Sequence, residues 1–241
     1  YEPLFFNGRK HLKDWGLSDS DIKSFQLGYM PKNMDMNRFS SYNSELLIES
    51  GAFALSSQGA LFTPFYGRII FPVFNVKGQL VGFSGRVLDS ASSPAKYINS
   101  KDSKLFSKRS LLYNLNNAKS TLKDTPLYIV EGYFDVISMH SAGFYSTVAT
   151  MGTAITPTHM DIIKKYAKEV VLLFDGDSAG IAAAYKSLPI FISAGLAPRA
   201  VFLPEGMDPS DYIIYKGAEN KFYEKSFETL TELEEVVTPF L

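Results

Sequence analysis

VVLLFDGDSAG, residues 170–180, runs five apolar residues into two carboxylates, Asp175 and Asp177, that flank a single glycine. An unbroken apolar run of this length, without alternation, predicts a strand buried on both faces. SAGIAAAYKSLPIFISA (178–194) predicts a helix entered directly from the acidic turn. A strand covered on both faces belongs to an α/β sheet with helices on either side. Two carboxylates this close repel each other, so either the turn is solvated or a cation lies between them.

The same rhythm extends in both directions. LYIVE (127–131) predicts a strand and FDVISMHSAG a helix ending at Gly143. STVAT (146–150) predicts a strand and PTHMDIIKKYA a helix with Pro157 at its start. Residues 197–204 predict a further strand ahead of DPSDYIIYKG. Short apolar strands alternating with helices from about residue 124 indicate a mainly parallel sheet. Upstream the character differs. Residues 1–60 read as helices and loops, with Ser18 or Asp19 as a helix cap. RIIFPVFN and QLVGFSGRVL read as a β-hairpin turning at Lys77-Gly78, followed by a polar, basic loop to about Ser110.

The 241 residues are 46% hydrophobic and contain no Cys, which supplies ample core material and excludes disulfides, thiolate metal sites and Cys nucleophiles. No apolar run approaches the ~20 residues needed to cross a bilayer and no secretory leader opens the sequence, so a cytoplasmic protein is expected. The net charge of -1 hides an asymmetry. Residues 1–120 carry 15 Lys/Arg against 9 Asp/Glu, and residues 121–241 carry 9 against 16. A basic half joined to an acidic half suits a protein that holds a polyanion near metal ions, although two solvated faces would give the same counts.

In parallel sheets functional groups gather beyond the carboxyl ends of the strands. Glu131, the pair Asp175 and Asp177, and the pair Asp208 and Asp211 all fall at such ends. Converging carboxylates favour a neutralising cation, and oxygen donors without Cys or His favour Mg²⁺ or Mn²⁺ over zinc. Each group also has a simpler reading: Asp177 or Ser178 caps a helix, and Asp208-Pro209 fits an N-cap followed by N1. Independent capping does not account for three acidic sites at successive strand ends. An EF-hand starting at Asp175 fails because Ala179 and Lys186 occupy ligand positions. Neither a GxxxxGK[ST] nor a GxGxxG loop occurs, and the three His residues are scattered.

EGYFDV (131–136), ATMGTAITPTH (149–159), LLFDGDSAGIAAA (172–184) and DPSDYI (208–213) resemble the Toprim domain of DnaG-type bacterial primases. The hairpin GRIIFPVFNVKGQLVGFSGRVL (67–88), AKYINS (95–100) and LFSKRSLLYNL (105–115) are similar to the amino-terminal part of the same catalytic core. The resemblance implies a basic α+β amino-terminal subdomain over 1–123 and a Toprim domain over 124–217. It leaves 218–241 as the start of an incomplete helical subdomain. It implies synthesis of short RNA primers for DNA replication by metal-dependent nucleotidyl transfer on single-stranded DNA. Glu131, Asp175 and Asp177 would be catalytic, and Glu131, Asp175, Asp177, Asp208 and Asp211 would hold Mg²⁺ or Mn²⁺, with no zinc in this chain. Arg86, Lys96 and Lys108 match basic positions that contact nucleotide phosphates or template. Arg68, Lys104 and Arg109 join them on charge, with Tyr97 and Phe106 interleaved for base stacking. The implied partners are single-stranded DNA, ribonucleoside triphosphates, the RNA–DNA product and, through a domain outside this chain, a replicative helicase. A monomer without membrane association is expected.

Two positions depart from the family. Ser210 stands where the family usually has the second Asp of DPD, so either Asp211 supplies that carboxylate or a second metal site is weaker. Trp15 precedes Gly16 where the family often has Arg, which removes one basic contact. The alternatives are another Toprim enzyme (a nuclease or a topoisomerase relative) and a single-strand DNA-binding module without catalysis.

Overall fold

The computed structural model describes residues 2–88 and 95–216, with side chains from Gly8 to Ile213 within those spans. The expected incomplete helical subdomain, 218–241, lies outside the described residues. The chain divides into two compact units, Tyr1–Ser107 and Lys108–Leu241.

The first unit opens with helix α1 (Glu2–Asp14) and helix α2 (Asp19–Ser24). Ser18 caps α2, accepting from the Asp21 N–H while the Asp21 carboxylate accepts from the Ser18 N–H at 2.8 Å. Between the helices, Leu17 N–H donates to Leu12 O and Gly16 N–H to Lys13 O, with Gly16 at φ +86°. This Schellman ending requires the left-handed conformation that glycine adopts without strain. Strand β1 (Gly28–Met30), helix α3 (Ser44–Glu49) and the paired strands β2 (Ala54–Leu55) and β3 (Leu61–Phe62) follow. The predicted hairpin is present as β4 (Arg68–Phe74) and β5 (Leu80–Val87), with Gly78 at φ +81° in its turn. Strand β6 (Tyr97–Asn99) completes an antiparallel sheet in the order β1-β4-β5-β6. Both edge strands correct the sequence reading, which placed β1 among helices and loops and β6 in a basic loop. Each has only three residues, too short for an alternating pattern to register, and each forms because a longer partner supplies the ladder. Ile69, Phe71 and Val73 of β4 are fully buried.

The second unit begins with helix α4 (Leu115–Ala118) and continues as β7 (Leu127–Val130), α5 (Tyr133–Ser141), β8 (Thr147–Ala149) and α6 (Pro157–Tyr166). It ends, among the described residues, with β9 (Val170–Phe174), α7 (Ser178–Ser193), β10 (Arg199–Phe202) and α8 (Pro209–Lys216). The four strands form a wholly parallel sheet in the order β10-β9-β7-β8. All residues of β7, β8 and β9 are buried, as continuous apolar strands require. This α/β arrangement, after an antiparallel sheet with helices, is the fold class expected from the alternating pattern. The second unit starts at Lys108 because residues 108–114 pair with it. Tyr113 and Ala149 exchange main-chain hydrogen bonds of 2.9 and 3.2 Å, and Asn114 Nδ2 donates to Thr147 O at 3.0 Å. No helix among the described residues is long and apolar enough to cross a membrane.

Candidate functional site

Adjacent central strands β7 and β9 deliver Glu131 and Asp175 side by side beyond their carboxyl ends, because Leu127, Tyr128 and Ile129 pair in register with Val170, Val171 and Leu172. The Asp175 N–H points at Glu131 Oε1 across a long 3.5 Å contact. Burial raises the Glu131 carboxyl above its ordinary range, the Asp175 N–H opposes that rise, and the Asp177 charge adds to it. Asp175 is half-buried, and its Oδ1 is buried without a hydrogen-bond donor.

The turn after β9 depends on two glycines. Gly176 N–H donates to Met207 O at 2.8 Å, which ties the turn to the loop preceding α8. A Cβ at Gly176 would run into the carbonyl oxygens of Pro204 and Leu203, and one at Gly180 into the main chain of Asp175. Gly176→Ala is therefore expected to cost about 1–3 kcal/mol. A thermal melt checks this, since each kcal/mol lowers Tm by roughly 2–4 °C in a chain of this size. An unchanged Tm would contradict the close approach.

Asp177 is exposed and caps α7, accepting from Gly180 N–H at 2.8 Å. Asp208 caps α8 in the same way, with Asp211 N–H donating to its Oδ1 at 2.7 Å and Pro209 opening the helix. The capping reading thus holds for both, without removing either from the acidic edge. Asp211 is exposed on the first turn of α8.

The residue that sequence reasoning missed is Asp135. It sits at the third position of α5 and accepts the Gly132 N–H at 2.9 Å. Only 6% exposed, its carboxyl is pushed up to about 7 by burial first, then by the charges of Asp208 and Asp175. The main-chain N–H groups of Gly132 and Ser210 oppose that rise. Asp135 therefore feels the acids of β9 and of the α8 entry together. Its signal was available in EGYFD, where an acid three residues beyond a glycine N-cap has capping-box spacing. Ser210 also joins α8 to α5 through its hydroxyl, 2.7 Å from that of Ser138.

Glu131, Asp135 and Asp208 form no ion pair among the described residues, where the ion pairs are Arg9 and Lys13 with Asp19, and Arg199 with Glu169. In donor chemistry these carboxylates fit a hard divalent cation. Among the described residues, no three His, Asp or Glu side chains already stand close enough to enclose one ion. Binding would have to draw the carboxylates inward.

The basic residues have separate fates. In the first unit the Arg86 guanidinium lies 4.2 Å from the Trp15 ring centre and 5.7 Å from that of Tyr97, its cross-strand neighbour. Trp15 thus meets the neighbouring Arg86 with the face of its ring. Lys96 and Lys104 are exposed. Arg68 is turned inward, 6% exposed, with Nη1 donating to the carbonyls of Gly85, Ala95 and Lys96 at 3.1–3.4 Å. Arg68→Lys, which loses the planar fork, is expected to cost about 1–3 kcal/mol in a melt while leaving the salt dependence of single-strand binding unchanged. A reduced salt slope would instead place Arg68 at the phosphates. Phe106 corrects the stacking expectation: it is 1% exposed and packs on Gly82, so its ring belongs to the core. In the second unit Lys108 is half-buried and Arg109 exposed.

Comparison with known proteins covers both units. The family described as DNA primase catalytic core, N-terminal domain, matches residues 5–119, and a Toprim-like family matches 128–213. The DNA primase of Lactococcus lactis is 40% identical over 209 residues, spanning 85% of this chain and 32% of the relative. The chain spans about a third of the length of the curated relatives it matches. The E. coli primase catalytic core superposes with a TM-score of 0.85 at 30% identity, covering 100% of this chain and 79% of that one. A DnaG primase catalytic domain bound to ssDNA gives 0.81 at 31% identity, covering 94% and 74%.

Proposed function

We propose, because this chain belongs to the DnaG-type bacterial DNA primases and carries part of their catalytic core, that it synthesises short RNA primers on single-stranded DNA. The observation that carries the reading is the electrostatic coupling of acids at the strand ends, Glu131 with Asp177 beside the Asp175 N–H, and the buried Asp135 with Asp175 and Asp208. These acids would hold Mg²⁺ or Mn²⁺, which supplies Lewis acidity toward a phosphoryl group when bound.

In the proposed reaction a ribose 3′-hydroxyl attacks the α-phosphate of a ribonucleoside triphosphate. A new P–O bond forms, the bond to the β-phosphate breaks and pyrophosphate leaves. Glu131, whose Oε1 faces the Asp175 N–H, would either hold the metal or take up the hydroxyl proton. Arg86, Lys96, Lys104, Lys108 and Arg109 would bind triphosphate and template through their phosphates, so this chain's main contribution is positioning and charge. Template binding is supported by the relative solved with ssDNA.

The test is incorporation of ribonucleotides on an oligonucleotide template, with and without divalent metal. Alkali-labile product that requires template, triphosphates and metal is expected. Cleavage of plain DNA without triphosphates would favour a Toprim nuclease. Salt-dependent DNA binding indifferent to metal and triphosphates would favour a non-catalytic module.

A further inference from the structure

The main chain of Lys108 and Arg109 is clasped by the amino-terminal turn of α6. Thr156 Oγ1 donates to Arg109 O at 2.7 Å and accepts the His159 N–H at 3.1 Å. His159 Nδ1 accepts the Thr156 N–H at 3.2 Å, and His159 Nε2 lies 2.8 Å from Lys108 O. A backbone N–H only donates and a carbonyl only accepts, which assigns the ring proton to Nε2 and leaves the imidazole neutral. His159 is 0% exposed, and burial holds its pKa down against the opposing effect of the Lys108 and Leu111 main chain.

A helix cap needs only the two reciprocal bonds between Thr156 and His159. The bonds outward to Lys108 and Arg109 are additional. They join the fully buried imidazole to half-buried Lys108, and the Thr156 hydroxyl to exposed Arg109. Downstream, the Tyr113–Ala149 and Asn114–Thr147 bonds hold the same segment. We propose that Thr156 and His159 are positioning residues that preorganise Lys108 and Arg109 for contact with phosphate groups of a bound polyanion. Fixing the backbone leaves only the long side chains to be ordered on binding, which lowers the entropic cost of each contact. The inference rests on the proposed phosphate role of Lys108.

The test compares Lys108→Ala, His159→Ala, His159→Gln, Thr156→Val and the double variant Lys108→Ala/His159→Ala in this chain. Fluorescence anisotropy with a labelled oligo-dT at several salt concentrations reads DNA contact. Calorimetry with ATP and Mg²⁺ reads triphosphate contact, and melts give the folded fraction. Lys108→Ala is expected to lower the single-strand salt slope by about 0.7, the share of one phosphate contact. His159→Ala should reproduce that loss, with affinity down about tenfold, and add nothing in the Lys108→Ala background. His159→Gln, whose amide can still donate to Lys108 O, should recover most of it. Thr156→Val should weaken binding in the same direction, and both conservative variants stand in if His159→Ala does not fold. An effect confined to one ligand identifies whether DNA backbone or triphosphate is held. His159 and Thr156 variants that fold and bind both ligands as the parent does would overturn the proposal, as would equal losses with and without Lys108. A silent Lys108→Ala would overturn the phosphate reading itself, and the clasp's purpose with it.

Discussion

Asp175→Ala is expected to reduce metal-dependent ribonucleotide incorporation by about a hundred- to a thousandfold, the scale associated with losing preorganised stabilisation of transition-state charge. The residue occupies the central edge position, next to Glu131 and within electrostatic reach of Asp135. The same variant should lose most of the rise in Tm that Mn²⁺ produces in the parent, because a ligand that binds only the folded state stabilises it by mass action. In EDTA at neutral pH the variant should melt higher than the parent, since one of the charges opposing ionisation of Asp135 is gone. Primer synthesis at the parental rate would remove Asp175 from the mechanism.

Asp135 should make the stability of the metal-free chain fall between pH 4 and 7. Its carboxyl titrates at about 7 in the folded state against an ordinary value of 3.8. Below about pH 4 both states keep the proton and nothing is lost. As pH rises, the unfolded chain releases its proton while the folded one retains it, so unfolding is favoured progressively. Above pH 7 the folded group is ionised too and the loss is complete. About three units of separation correspond to roughly 4 kcal/mol. Asp135→Asn should flatten this part of the pH profile and unfold at higher denaturant than the parent at pH 8 without metal. A divalent cation should restore much of the parent's stability at that pH, since it offsets the same repulsion. Urea titrations at pH 4, 6 and 8 measure this, and a parent profile as flat as that of the variant would refute the role of Asp135.

The strand-to-acid junctions were legible because each rests on local chemistry. A run such as VVLLF, five apolar residues rich in β-branched types and closed by a glycine turn, suits a strand covered on both faces, and at Gly176 the structure leaves no room for a Cβ. The three-residue strands β1 and β6 were not legible, since their pairing comes from the long hairpin strands beside them. Among the basic residues, sequence could not separate Arg68 from Arg86. They occupy neighbouring strands of one hairpin, yet Arg68 bonds buried carbonyls while Arg86 lies against Trp15. Phe106 misled for a related reason: a basic neighbourhood in sequence does not reveal that a ring fills the space above Gly82.

Sequence by itself determined the succession of strands and helices in the second unit, the acids at the strand ends and the lack of cysteine in these 241 residues. Periodicity, glycine placement and residue type act over a few positions, so they can be read there. Tertiary structure alone decided that Asp135 joins the acids and that Asp177 and Asp208 also cap helices. It also decided that His159 reaches back to Lys108 across 51 positions. Burial, charge coupling and long-range hydrogen bonds depend on which elements the fold places side by side, and that information is absent from any single segment.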